Sequence, residues 1–294
     1  MSKDRENLTI VPILNQSLKG KEVDGVITYP IYLRVILGQK NTHLPIYLSS
    51  RDKEVNTYAS EEEFEAIKAN WERYNSSDFV EPNYAGDIRF QLITKLATVV
   101  RNLEQYESVE LKQKFKLKGL RRRLDFMYTH LVSFVDQEMN EKLYNYLVDE
   151  KNAKSGNSSF IASLFDFSLP FEQNFDRLAW GYQEAEITLP EELTKEIEFT
   201  FLLKAMEYES SLSFRDAYPA YDFLVLKNSI HFYDFLKYNS KTLFDAKQLL
   251  KLPLAHPFSR YVSLVPPSED VVFYKNMYEK LLRRITYEYK KLLA

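Results

Sequence analysis

The stretch Tyr29–Leu48 constrains the fold of this chain more than any other, because its side chains follow a period of two. Alternate positions from 31 to 37 hold Ile, Leu, Val and Leu, which predicts a β-strand with one apolar face. A turn is predicted at 38–40, where Gly38 can adopt a positive φ. The next run places Leu44, Ile46 and Leu48 on one side, so we predict a β-hairpin.

This hairpin needs at least one more strand, since two strands alone are at best marginally stable in water. The apolar run Leu8–Leu14 is one candidate for the third strand, and the segment Val55–Tyr58 is another. Pro45 has no N–H to donate to a ladder. The second hairpin strand is therefore predicted at a sheet edge, or with Pro45 on its unpaired side.

Helical patterns follow the hairpin. Ser60 with Glu63 three residues later is typical of a capping box at the start of a helix. A second helix is predicted to begin near Asp87. Apolar residues at helical spacing from Leu124 onward predict a single long helix that ends near Glu150.

The polar segment Lys151–Ser159 is the best linker in the chain, because it lacks large apolar residues and contains Gly156. We therefore predict two domains, residues 1–150 and 151–294. Helices of the second half are predicted to begin after Pro170, Pro190, Pro219 and the capping residue Ser268. The predicted fold class is α+β, mostly α, with a small N-terminal antiparallel β-sheet and helices followed by an all-helical C-terminal domain.

Composition excludes several classes of protein. The absence of Cys excludes disulfides, thiolate zinc sites and cysteine nucleophiles, and it fits a reducing compartment. The charged N-terminus has no apolar signal core, and no run approaches the length of a membrane span. We expect a cytoplasmic protein without membrane contact. A net charge of −3 argues against a uniformly basic nucleic-acid binder. Binding to nucleic acid would therefore require positive charges to be concentrated in one part of the chain.

The sharpest charge feature is a basic run at 112–123 that contains no acidic residue. Lysine alternates there with Gln113, Phe115 and Leu117, which fits either a strand with one basic face or the entry to a helix near Gly119. Such a run can follow a phosphate backbone and release condensed counterions, or it can be a solvated face or a basic linker. Its basic residues are Lys112, Lys114, Lys116, Lys118, Arg121, Arg122 and Arg123.

The strand Tyr-Pro-Ile-Tyr-Leu-Arg-Val at 29–35, the short turn with Lys40 and the second strand resemble the N-terminal arm-type DNA-binding module of phage-integrase-like tyrosine recombinases. The resemblance covers about residues 25–117. In that family a small three-stranded sheet docks on DNA and a helix packs behind it. The resemblance implies a phage or mobile-element protein whose β-ribbon enters the major groove of DNA. The residues that it implies for DNA contact are Tyr32, Arg34, Lys40 and His43.

Catalysis is not implied by the same resemblance. The recombinase site needs an Arg, a His-x-x-Arg pair, a further His or Trp and a Tyr nucleophile, and the nearest segment, His256–Tyr261, has the wrong spacing. Nucleotide-binding, zinc-protease and serine-hydrolase motifs are absent from the sequence. The four His residues lie far apart, and the Glu pairs between 184 and 198 are typical of a solvated helix start. We predict no metal, no cofactor and no catalytic residue.

The sequence thus predicts a non-catalytic DNA-binding protein with a helical half for protein partners or self-association. One alternative is a helical interaction or scaffold protein without a nucleic-acid role. Another is a recombinase-like enzyme with a diverged active site, for which Tyr261 is the candidate nucleophile.

Overall fold

The computed structural model describes residues 7–48, 55–75, 87–148, 163–175, 177, 190–212, 219–227 and 271–294. The chain divides into two compact units, Met1–Tyr128 with Leu292–Ala294, and Thr129–Lys291. This division falls after Tyr128, whereas the linker predicted at 151–159 lies outside the described residues.

The first unit contains an antiparallel sheet of five strands built around one long central strand. Strand β3, Val26–Leu37, pairs with each of the other four strands. The predicted hairpin is confirmed, and both candidates contribute a further strand, Leu8–Leu14 in full and the second only through Tyr58. The remaining strands are β1, Leu8–Leu14, β2, Lys21–Val23, β4, Lys40–Pro45, and β5, Tyr58–Ala59.

One face of this sheet forms the core of the first unit. Leu33 and Val35 are completely buried, and Leu44 pairs with Leu33 from the neighbouring strand. Helices α1, Glu61–Tyr74, and α2, Ile88–Gln105, contact strands β1 and β3 behind this face. The period-two prediction for the hairpin is therefore confirmed, because burial of one face requires alternate residues to be apolar.

Both predicted helix starts are confirmed. Ser60 accepts a hydrogen bond from the backbone of Glu63, and the Glu63 carboxylate accepts one from the backbone of Ser60, which completes the capping box of α1. Asp87 caps α2 by accepting from the backbone N–H of Arg89 at 2.8 Å.

After α2 the chain forms a π-helical turn, Tyr106–Glu110, and a loop without ladder hydrogen bonds that leads to Gly119. Helix α3, Leu120–Met127, begins after Gly119, whose φ of 73° lies in the left-handed region that glycine adopts without strain. Of the two predictions for the basic run, a helix entry near Gly119 is confirmed, while a strand is not formed.

The prediction of one long helix from Leu124 is wrong. Helix α3 ends at Met127, and α4, Ser133–Val148, follows after a break. His130 forms an isolated β-bridge with Pro219, and the carbonyl of Thr129 accepts from the backbone N–H of Ala220 at 3.0 Å. The break is stabilised by a segment distant in sequence, so helical spacing around Leu124 does not reveal it.

The described part of the second unit is helical. Residues 171–175 form a helical turn after Pro170, and helices α5, Glu191–Leu212, and α6, Ala220–Leu224, follow Pro190 and Pro219 as predicted. Helix α7, Val271–Leu293, buries an aromatic and aliphatic stripe that includes Tyr278 and Ile285. No helix among the described residues combines the length and apolar character needed to cross a bilayer.

Candidate nucleic-acid interface

The outward face of the sheet brings three of the predicted contact residues together. Strand register places His43 directly opposite Arg34 on β3, and both side chains are exposed. Val11 pairs with Arg34 from the other side, so Arg34 lies in the middle of a three-strand row. Tyr32, two residues along the same face, pairs with Pro45 and is half-buried. The face is therefore a mixed polar and apolar surface with Arg34 at its centre.

Lys40 occupies a different position from these three. It pairs with Leu37 at the turn end of the hairpin, and Leu37 belongs to the inward-facing set of β3. Side chains of directly paired residues lie on the same side of a sheet. Lys40 is exposed because the hairpin extends beyond the core, but it does not belong to the outward row of Arg34 and His43.

The basic run forms a loop with alternating burial. Phe115 and Leu117 are buried and anchor the loop, while Lys112, Lys114 and Lys116 are exposed. Lys118, just before Gly119, is also exposed. The basic face that the sequence predicted is thus present, on irregular backbone.

The prediction that Arg123 contacts nucleic acid is wrong, because Arg123 does not lie at the surface. Its side chain is 2% exposed, and its Nε donates to Oε1 of Glu107, which is completely buried, at 2.8 Å. The same guanidinium donates to the backbone carbonyls of Lys118, at 2.7 Å, and Lys116. A surface ligand cannot reach Arg123 in this arrangement.

Arg121 is also engaged within the first unit. Its guanidinium lies 4.5 Å from the centre of the Tyr47 ring and donates to the Tyr47 carbonyl at 2.9 Å. It also pairs with Asp125 one turn later, at 2.8 Å. Arg122, between the two engaged arginines, is exposed. The three consecutive arginines therefore have three different environments.

Several of the predicted cations remain available to a ligand. Lys116 donates to the carbonyl of Leu293 at 3.2 Å. Five of the predicted cations are exposed and make no ion pair and no hydrogen bond with the described residues: Arg34, Lys40, Lys112, Lys118 and Arg122. No Asp or Glu occurs in residues 26–48 or 111–124, so the available cations sit in segments without acidic side chains.

The sequence did not predict the roles of two residues that shape this surface, Glu107 and Tyr47. Glu107 is the acid that holds Arg123, and its local sequence does not distinguish it from Glu104 and Glu110, which lie three residues away on either side. Tyr47 is one of 21 tyrosines, and its local sequence carries no mark of the contact with Arg121.

The described residues of the second unit enclose a cavity of about 290 Å³ among α4, α5 and α7. Its walls include Met139, Phe199 and Leu281, and its carboxylates, Glu138 and Glu196, both pair with Lys142, at 2.9 and 2.7 Å. Glu138 also pairs with Arg284, so two cations balance the two carboxylates. No group of three or more potential metal ligands occurs among the described residues. The segment His256–Tyr261 lies outside them.

Comparison with family models, with curated proteins and with solved structures finds no match to this chain.

Proposed function

We propose that this protein binds double-stranded DNA, without catalysing a reaction on it, through the outward sheet face and the basic loop of its first unit. The observation that carries the proposal is that one compact unit combines two surfaces with exposed cations, both in segments that contain no acidic residue. The first surface is the row with Arg34 and His43, and the second is the loop that exposes Lys112 and Lys118. The helical second unit is proposed to bind protein partners or to self-associate.

In this mechanism the sheet face enters the major groove, a mode that β-ribbons use, and the loop follows the phosphate backbone. Arg34 can donate two hydrogen bonds to the O6 and N7 atoms of a guanine. Lys112, Lys118 and Arg122 supply phosphate contacts, which position the protein without reading sequence. The layout of an open sheet face with helices behind it also supports the resemblance to the arm-type module.

The test is fluorescence anisotropy of the full chain with a labelled duplex of about 30 bp, titrated from about 50 to 300 mM salt. We expect the logarithm of the association constant to fall linearly with the logarithm of salt concentration. The triple variant Lys112→Gln, Lys118→Gln, Arg122→Gln should bind more weakly. Its slope should be shallower by about 2.7, since each lost phosphate contact removes about 0.9.

The matched control removes the same charge from the second unit, by changing Lys275, Lys280 and Lys290 of α7 to Gln. This control should keep the slope of the unmodified chain. Equal losses in both triple variants would show that net charge, rather than the loop, determines binding.

Absence of binding at the lowest salt would overturn the proposal and favour a protein-interaction role without nucleic acid. The observation that supports this second function is the hairpin of β2 with the start of β3, which exposes large apolar side chains. Val23 is 43% exposed, Val26 51% and Ile27 58%. Exposed apolar clusters mark sites of protein contact.

A further inference from the structure

Helix α3 carries three arginines in succession, and the helical rotation of about 100° per residue sends them in three directions. Arg121 is 30% exposed and points to the sheet, while Arg122 faces solvent. Arg123 points into the core of the first unit. Only the middle arginine of the three therefore has the environment of a DNA ligand.

The buried guanidinium of Arg123 organises the basic loop. It donates to the carbonyls of Lys116 and Lys118 and lies 5.5 Å from the ring of Phe115. Glu107 supplies the compensating charge from the π-helical turn after α2. Because these two carbonyls are held toward the core, the lysine side chains between Leu111 and Gly119 are held outward.

Arg121 connects the same helix to the sheet. Its guanidinium lies over the Tyr47 ring and donates to the Tyr47 carbonyl, just beyond the end of β4. A cation–π contact combined with a directed hydrogen bond restricts orientation as well as distance. Strand β4 also carries His43, which faces Arg34 across the ladder.

We propose that α3 acts as a brace, in which Arg123 with Glu107 holds the basic loop in shape and Arg121 holds that loop at a set distance from the sheet face. Arg121 and Arg123 are positioning residues, and neither contacts the ligand. If the protein binds DNA as proposed, the brace lets a single stretch of duplex meet both surfaces at a fixed spacing, and this consequence rests on the proposed function. The brace itself does not depend on DNA.

Limited trypsin digestion tests the brace without any nucleic acid. The loop contains four lysines, and cleavage requires the backbone around them to open. Arg123→Lys keeps the charge opposite Glu107 but cannot reach both carbonyls. We expect cleavage after Lys112, Lys114, Lys116 or Lys118 to become at least about tenfold faster, as expected for the loss of hydrogen bonds from a charged donor.

The matched control is Arg122→Lys, the same substitution at the neighbouring exposed position, which should leave the cleavage rate of the loop unchanged. Mass spectrometry assigns each cut, so cleavage elsewhere in the chain is scored separately. Equal loop cleavage in the Arg123→Lys and Arg122→Lys variants would overturn the brace. If circular dichroism shows that Arg123→Lys does not fold, Arg121→Lys takes its place in the anisotropy measurement below, because that change leaves the buried ion pair intact and weakens only the connection to the sheet. At least about fivefold weaker binding than the unmodified chain is then expected, and equal binding would overturn the brace.

The anisotropy measurement then connects the brace to DNA. Arg123→Lys and Arg101→Lys both conserve charge, and Arg101 lies on α2 away from the loop, where it donates to Asn75 at 2.8 Å. We expect at least about fivefold weaker binding for Arg123→Lys and none of that loss for Arg101→Lys. If the unmodified chain binds no duplex, the proposed function fails. The trypsin digestion still tests whether Arg123 holds the basic loop in shape. If it binds duplex and Arg123→Lys binds equally well, the brace has no role in DNA binding and that part of the inference is overturned, while the proposed function stands.

Discussion

At the scale of single residues, the ion pair of Glu107 and Arg123 is the most consequential feature of the first unit. Removing two charges from water is costly, and only good geometry with additional hydrogen bonds offsets that cost. Here the guanidinium uses its Nε for the carboxylate and its two terminal nitrogens for backbone carbonyls. An arginine can serve three acceptors in one plane, which a lysine cannot do.

Glu107→Leu should reduce the free energy of unfolding by about 3–5 kcal/mol, because it leaves a buried guanidinium without its counter-charge. Urea denaturation followed by tryptophan fluorescence measures the change. Glu110→Leu, three residues later at an exposed position, should stay within about 0.5 kcal/mol of the unmodified chain. A similar loss for both variants would contradict the buried role of Glu107.

At the scale of elements, Arg89 connects the starts of two helices with the last strand. Its guanidinium lies 3.0 Å from Asp87, the N-cap of α2, and 3.1 Å from Glu63 in the capping box of α1. It also donates to the carbonyl of Tyr58 in β5 at 3.0 Å. We call Arg89 with Asp87, Glu63 and the Tyr58 carbonyl the Arg89 clip. It holds α1 and α2 against the sheet whose other face is proposed to meet DNA.

The two carboxylates of the Arg89 clip make the free energy of unfolding depend on pH. Burial raises the pKa of Asp87, but hydrogen bonds from Arg89 outweigh that effect and lower it below the ordinary 3.8. The backbone hydrogen bond from Ser60 lowers the pKa of Glu63 below the ordinary 4.5, against burial. A carboxyl whose pKa is lowered by folding stabilises the fold above its unfolded pKa, and this stabilisation is lost as the pH falls through the folded pKa.

Asp87→Asn isolates the charge, because Asn caps helices about as well as Asp. At pH 7 the variant should be less stable than the unmodified chain by about 1 kcal/mol. The difference should shrink in acid, well below the ordinary Asp pKa of 3.8, where Asp87 itself becomes protonated. Urea midpoints at both pH values measure this, and Glu22→Gln, at an exposed position of β2, serves as the control. A difference that persists unchanged in acid would rule out the charge as its cause.

At the scale of the whole molecule, charge is divided unevenly along the chain. Residues 1–128 carry 20 Lys and Arg with 18 Asp and Glu, whereas residues 129–294 carry 19 and 24. The first part is thus slightly basic and the second clearly acidic. A polyanion is attracted to the first and repelled by the second.

Hydrogen exchange of the full chain with and without DNA should reflect that division. We expect slower exchange in peptides that cover 32–43 and 112–122 when duplex is added, because these segments carry the proposed contacts. Peptides from α5 and α7 should exchange at the same rate with and without duplex. Protection confined to the second unit would place the interface elsewhere and contradict the proposal.

Much of the fold follows from short-range rules that the sequence displays directly. The alternation from Ile31 to Leu37 predicted the central strand, since a half-buried sheet requires that period. The capping box at Ser60 and the prolines before α5 and α6 predicted helix starts, since each acts on backbone groups within one turn. The candidate DNA-binding segments were predicted in the same way, from local charge and local period.

The amino-acid sequence by itself therefore determined the central hairpin, the starts of several helices and where positive charge accumulates. Tertiary structure alone decided what each charge does. Arg122 and Arg123 are chemically identical neighbours, yet one faces solvent and the other is buried against a glutamate 16 residues earlier in the chain. The break after α3 likewise depends on Pro219, about ninety residues away in sequence. Burial and long-range pairing depend on what the folded chain brings alongside a residue, which no local pattern encodes.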